Sequence, residues 1–215
     1  MIYEIKETLD FDYIPETEEL YANLSLMYHF PKLKQKLEKI LKGRNVAQSI
    51  QENVGDLLVL IPEIKSMIGF EHKHPHHYLD VWSHTLEVIR NLNTTDIELN
   101  MAALLHDIGK PFSYQEGEIR HFHGHPEVSC QMTMQILARL GYERDFIEKV
   151  AYLVETHDTV IEPNQLDNEL PMVQKRLKLQ YADARAHYPE KVAKRISFLD
   201  NIARQLSVLE MEERA

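Results

Sequence analysis

The stretch Ala102-Ala103-Leu104-Leu105-His106-Asp107-Ile108-Gly109-Lys110 decides how this chain is read. It is an apolar helical run that closes on an adjacent histidine and aspartate. Asp96 supplies an N-cap for the run, and Gly109 lies just past its C-terminus as a stop. His106 and Asp107 therefore fall at the helix end. A bare His-Asp dipeptide carries little meaning, but this context is specific.

Outward from this stretch, helical spacing recurs in both directions. Upstream, Asp80 reads as the N-cap of a helix reaching about Leu92, with Val81, Val88 and Leu92 as its apolar stripe and His84 on that stripe. Further upstream the spacing predicts a helix from Ala47 to about Leu60, another from Pro31 to Lys42 with Gly43 as a stop, and one over Glu16 to Tyr28. Downstream, Pro111 to His123 reads as a loop. A helix from Pro126 stops at Gly141, and the next runs from Asp145 to His157, where Phe146, Val150, Leu153 and His157 share one face. Leu166 to Pro171 reads as a loop, followed by helices over about Pro171 to Ala186 and Pro189 to Glu213. Asp183 shares a face with Leu179 and Ala186, and Ala182 and Ala184 leave room beside it. No stretch sustains period-2 alternation, so the predicted class is an all-α helical bundle. Residues 1–56 read as an N-terminal helical segment packed on the core, and 57–215 as the main domain with its C-terminal helix.

Composition narrows the function classes. A formal charge of −10 argues against a dedicated nucleic-acid binder, whose affinity comes from neutralising phosphates. It argues less against an enzyme for small phosphorylated compounds, because bound cations reverse the local field. Lys32, Lys34, Lys36, Lys39, Lys42 and Arg44 read as a solvated face over the core stripe Leu33, Leu37, Ile40 and Leu41, with an RNA- or partner-binding patch as the other reading. Cys130 is the only cysteine, which excludes an internal disulfide and any paired-Cys metal motif. The first residues lack a basic n-region and an apolar h-region, and the longest apolar run is Leu57 to Pro62. The expectation is a cytoplasmic chain without a membrane span. Histidine is the outlier: ten of the 12 lie between His72 and His157.

Taken singly, an inward histidine is a satisfied core residue and a buried aspartate a cap or ion-pair partner. Here His84, His157 and Asp183 point inward from separate helices, and a fourth helix ends in His106 and Asp107. Imidazole and carboxylate suit first-row divalent metals, and a cluster of both is hard to satisfy otherwise.

In this context His84, His106-Asp107 and Asp183 resemble the H…HD…D signature of the HD superfamily of metal-dependent phosphohydrolases. The region from about Leu57 to His187 is similar to the HD region of bacterial CCA-adding tRNA nucleotidyltransferases. The likeness rests on Ile61-Pro62-Glu63-Ile64, on His76-His77-Tyr78-Leu79-Asp80-Val81-Trp82-Ser83-His84-Thr85 and on His121-Phe122-His123-Gly124-His125-Pro126-Glu127. The nucleotidyltransferase head is not recognised: Asp10-Phe11-Asp12 is a D-x-D without a preceding Gly-Ser strand. The expectation is a free-standing HD domain.

The resemblance implies a metal site at the bundle core. His84, His106 and Asp183 would hold one ion, His125 and His157 a second, and Asp107 would bridge them; His123 competes with His125. The ions would be divalent transition metals (Mn, Ni, Co, Fe or Zn). A metal-activated hydroxide would then attack a phosphomonoester or phosphodiester in a small nucleotide-like substrate. Lys110 resembles the family's phosphate-contacting lysine, though it could also serve as a helix-dipole partner. His77 matches a histidine expected near substrate. His72, His74 and His76 read as loop histidines, and His29 and His187 as structural. The other readings are a metal-stabilised signalling or adaptor domain without turnover, and a di-iron HD oxygenase.

Overall fold

The computed structural model describes residues 30–162 and 170–213. The helix expected over Glu16 to Tyr28, the Asp10-Phe11-Asp12 triplet and most of the Leu166 to Pro171 loop lie outside those residues. Among the described residues the fold is all-α, and extended pairing is confined to isolated antiparallel bridges between Glu71 and Asp80 and between Gln115 and His121.

Helix α1 covers residues 30–41. Leu37 and Leu41 are buried on one side of it, while Lys36 pairs with Asp56 at 2.6 Å and Lys34 lies over the Tyr142 ring. The single helix expected from Ala47 to Leu60 is instead two, α2 (Val46–Glu52) and α3 (Val54–Leu60). Asn53 separates them, because its side-chain amide bonds back to the Ser49 carbonyl at 2.7 Å. An Asn that engages neighbouring backbone this way competes with helix continuation.

After a 3-10 turn over Pro62–Ser66, α4 (Val81–Leu92) starts where Asp80 accepts hydrogen bonds from the Trp82 and Ser83 amides at 2.9 and 3.0 Å. Such a cap is worth about 1 kcal/mol. Asp96 does the same for α5 (Ile97–Leu105) through the Glu98 and Leu99 amides. Every residue from Leu99 to Leu105 is buried, so α5 forms the centre of the bundle. The Asn100 side-chain amide nitrogen donates there to the Leu41 and Thr94 carbonyls, both at 2.8 Å, which ties the end of α1 to α5.

The end of α5 corrects two expectations. The helix stops at Leu105, and Gly109 has φ −80°, an ordinary conformation rather than a left-handed C-cap. The glycine serves close packing instead: a Cβ there would lie 2.6 Å from the Ser129 nitrogen. The loop expected over Pro111 to His123 begins with a short helix, α6 (Lys110–Ser113), with Pro111 in its first turn.

The remaining helices are α7 (His125–Arg139), α8 (Arg144–Glu155), α9 (Leu170–Arg185) and α10 (Pro189–Glu213). Helix α7 packs on α8, α4 on α9, α5 on α4 and α8, and α9 on α10. One core cluster runs through the bundle from Leu37 to Ala186, and a smaller one joins α9 (Val173, Leu177, Ala184) to α10 (Leu199, Ile202, Leu206). No helix among the described residues is long and apolar enough to cross a membrane.

Candidate metal centre

The helix ends that meet around α5 deliver histidine and aspartate side chains to one point. His84 comes from the first turn of α4 and His106 caps α5, with Asp107 next to it. His125 opens α7, His157 follows α8, and Asp183 lies in the last turn of α9. All of them are buried.

A shared device orients three of the rings. Nδ1 of His106 lies 2.8 Å from the Ala103 carbonyl, Nδ1 of His125 lies 2.9 Å from that of Phe122, and Nδ1 of His157 lies 2.6 Å from that of Val154. A carbonyl only accepts, so each Nδ1 carries a hydrogen, and in the neutral ring each Nε2 presents a bare lone pair. The Nε2 atoms of His125 and His157 then face each other at 3.2 Å with no proton to share. Two nitrogen ligands about 2.1 Å from one ion are separated by roughly 3.0–3.4 Å. The pair fits a shared cation.

Asp107 stands between two such groups. Its Oδ1 lies 3.3 Å from His125 Nε2 and 3.8 Å from His157 Nε2. Its Oδ2 lies 3.2 Å from His106 Nε2 and 3.7 Å from His84 Nε2. These, like the 2.7 Å approach of Lys110 Nζ to Oδ2, are ion-pair distances only: both oxygens, and His106 Nε2, lack a hydrogen bond of acceptable geometry. Fully buried polar atoms left in that state call for another partner. His84, His106 and Asp107 form one group of mutually close ligand atoms, and Asp107, His125 and His157 form another. Asp183 meets His84 Nε2 at 3.0 Å. The donor chemistry and the orphaned atoms thus suit divalent transition metals.

Protonation follows from burial and charge. Burial opposes the charge on Asp107, but His106 and Lys110 outweigh it and hold the carboxyl well below its usual range. Burial likewise opposes Asp183, and its contacts with His84 and His187 prevail. Burial keeps His84 neutral despite Asp183, so His84 donates through Nε2 to an ionised Asp183. At His106 burial is overcome by adjacent Asp107, and its pKa is raised. Burial, reinforced by His106, pushes His157 down to about 4.

Lys110 is buried and turns inward, with its Nζ 2.7 Å from Asp107 Oδ2. It lines an open cavity of about 450 Å³ together with Asp107, His77, Arg120, Asp183 and His187. His77 stacks on His72, with ring centroids 3.8 Å apart. His123 is exposed and stacks on His121; among the described residues it joins neither group, whereas His125 does.

Three residues around the centre escape a reading by periodicity. His72, read as a loop histidine, is buried beside Lys110, with burial and the Lys110 charge pushing its pKa down to about 2. It lies in an irregular segment where spacing carries no information about direction. His187, read as structural, groups with His84 and Asp183 and lines the cavity; its position four residues after Asp183 was the available signal. Arg176 on α9 is buried and donates to the carbonyls of Thr156, Thr159 and Val160, bracing the turn that carries His157.

A family profile described as the HD domain matches residues 76–204, a span that holds every ligand candidate above. Over 167 residues the chain is 32% identical to the A-adding tRNA nucleotidyltransferase of Deinococcus radiodurans, covering 70% of this chain and 38% of that protein. Over 136 residues it is 33% identical to the CC-adding tRNA nucleotidyltransferase of Thermus thermophilus, covering 59% and 31%. The Multifunctional CCA protein of Legionella pneumophila is 29% identical over 128 residues, covering 57% and 31%. The chain thus spans about a third of the length of these relatives. The chain belongs to the HD domain family, whose superfamily consists largely of metal-dependent phosphohydrolases.

Proposed function

We propose that this protein hydrolyses a phosphomonoester or phosphodiester in a nucleotide-like substrate, using two divalent transition-metal ions. His84, His106, Asp107 and Asp183 would hold one ion, and Asp107, His125 and His157 the other. The observation that carries this reading is Asp107, whose two buried oxygens open onto separate groups of imidazole nitrogens. The tRNA nucleotidyltransferase relatives favour a nucleotide-like substrate, and RNA itself is a further candidate.

Divalent cations held by these residues would supply Lewis acidity, making water a competent nucleophile near neutral pH and neutralising phosphate charge. The chain supplies the rest. Backbone-locked Nδ1–H groups hold the ligand lone pairs in place, so little reorganisation accompanies reaction. Lys110, beside Asp107 and on the cavity wall, offsets charge that develops on the phosphoryl oxygens. His77 forms part of the same wall, where a substrate base or sugar would rest.

The test is elemental analysis of the purified protein, followed by a screen with Mn²⁺, Co²⁺, Ni²⁺ and Mg²⁺ against nucleotides and bis-p-nitrophenyl phosphate. Bound metal and chelator-sensitive turnover are expected, and Asp107→Ala should abolish turnover while keeping helical circular dichroism. Turnover that survives in Asp107→Ala overturns the reading. Metal without turnover across the panel points to an adaptor domain, and iron with an oxygen-sensitive spectrum to oxygenase chemistry.

A further inference from the structure

We infer that His72 is a positioning residue for Lys110, holding the lysine ammonium so that one of its N–H groups faces a phosphate in the cavity. The inference rests on the phosphohydrolase reading for the identity of that anion. A lysine ammonium has three N–H donors and no acceptor. One side of the Lys110 ammonium is taken up by the Asp107 carboxylate at 2.7 Å. A second contact runs to Nε2 of His72 at 3.2 Å.

That contact has a defined sense. Nδ1 of His72 lies 2.9 Å from the Leu79 carbonyl and carries the hydrogen. Nε2 is therefore a lone pair, and Lys110 is the donor. Beneath the ammonium lies the Phe122 ring, 5.5 Å from Nζ to centroid. With carboxylate, imidazole and ring on those sides, the direction left open is the cavity that Lys110 lines.

His72 is itself fixed. Its ring stacks on His77 with an interplanar angle of 4° and meets Phe122 edge-on. Its segment is pinned by the Glu71–Asp80 bridge and by the Val81 amide bonded to the Phe70 carbonyl at 3.0 Å. A neutral acceptor does what a second carboxylate would not: it directs the ammonium without consuming its charge. Lacking His72, Lys110 would fall wholly onto Asp107 and compete with cations for that oxygen.

A double-mutant cycle on Mn²⁺-loaded protein tests this, read as affinity for inorganic phosphate by calorimetry. His72→Phe keeps a stacked ring but has no acceptor, and phosphate affinity should fall by about tenfold, the scale of one hydrogen bond at a charged group. His72→Gln, whose amide oxygen can accept from Lys110, should restore most of that loss. In a Lys110→Ala background, His72→Phe should change nothing further. Equal weakening in both backgrounds overturns the inference, as does an unweakened His72→Phe or a loaded wild type that binds no phosphate. If His72→Phe does not fold, His72→Gln decides: affinity near wild type is expected, and a loss matching Lys110→Ala overturns the inference. Phosphate binding is read without turnover. A protein that binds phosphate through this pair yet hydrolyses nothing therefore refutes the hydrolase reading alone.

Discussion

Gly109→Ala probes the join between α5 and α7 without altering a ligand side chain. A methyl group there would lie 2.6 Å from the Ser129 nitrogen, 2.8 Å from Ser129 Oγ and 3.0 Å from the His125 carbonyl oxygen. Ordinary contact starts near 3.4 Å, so the first turn of α7 must retreat by roughly 0.8 Å. Two of the three obstructing atoms are backbone, so no change of rotamer relieves the clash. Overpacking of this kind costs about 1–3 kcal/mol. Alanine recovers about 0.4–1 kcal/mol by restricting the unfolded chain, since φ at this position suits any residue. The difference of the mid-range values is a destabilisation of about 1.3 kcal/mol, or a fall in Tm of about 3–5 °C for a chain of this size. The retreat also carries His125, whose Nε2 now lies 3.3 Å from Asp107 Oδ1 and 3.2 Å from His157 Nε2. His84, His106 and Asp183 sit on other elements. The expected result is a lower Tm without metal, together with metal content falling, on the two-ion reading proposed above, from two ions per chain toward one. Calorimetry and elemental analysis read both. A variant as stable as wild type with full metal content would refute the reasoning.

Three other outcomes follow from the same geometry. His125→Ala and His157→Ala should each lower metal content toward one ion per chain, whereas exposed His123→Ala should leave it unchanged; equal content in all three redraws the ligand set. Because Asp107 overcomes burial and raises the pKa of His106, a proton occupies the nitrogen proposed as ligand below the raised value. Mn²⁺ affinity should therefore weaken as pH falls through it, by up to about tenfold per pH unit, with proton release on binding; affinity that is flat across about pH 6 to 8 contradicts this. Arg176→Met should cost about 1–3 kcal/mol in urea unfolding, because it strips a charged donor from the Val160 carbonyl and leaves those of Thr156 and Thr159 to Gln180. A loss under about 0.5 kcal/mol would show that water replaces the guanidinium there.

What the sequence disclosed was governed by range. Asp80 and Asp96 announced their helices because a cap acts within three residues. His84 could be placed inward because a helix repeats its faces, and His157, just past the end of α8 at Glu155, still follows that face. Asn53 was passed over because one residue that bonds to its own preceding turn leaves the apolar spacing on either side intact. Gly109 was noticed but misassigned: a glycine after a helix suggests a left-handed stop, and nothing nearby in the chain reveals Ser129 pressed against it. His72 was invisible for a related reason. Its direction is set by the bridge between Glu71 and Asp80 and by contact with Lys110, both of which exist only once the chain has folded.

The ring locks bear on which mutations the centre can survive. His72, His106, His125, His157 and His187 each rest Nδ1 on a main-chain carbonyl, those of Leu79, Ala103, Phe122, Val154 and Asp183. A side-chain partner can be deleted by one codon change, but a carbonyl stays whatever residue bears it. Substitutions at Ala103, Phe122 or Val154 alter packing yet leave the lock in place. Inserting or removing a residue between lock and ring, as between Ala103 and His106, rotates the imidazole off its carbonyl at once. The centre is therefore tolerant of substitution around its rings and intolerant of changes in chain length there.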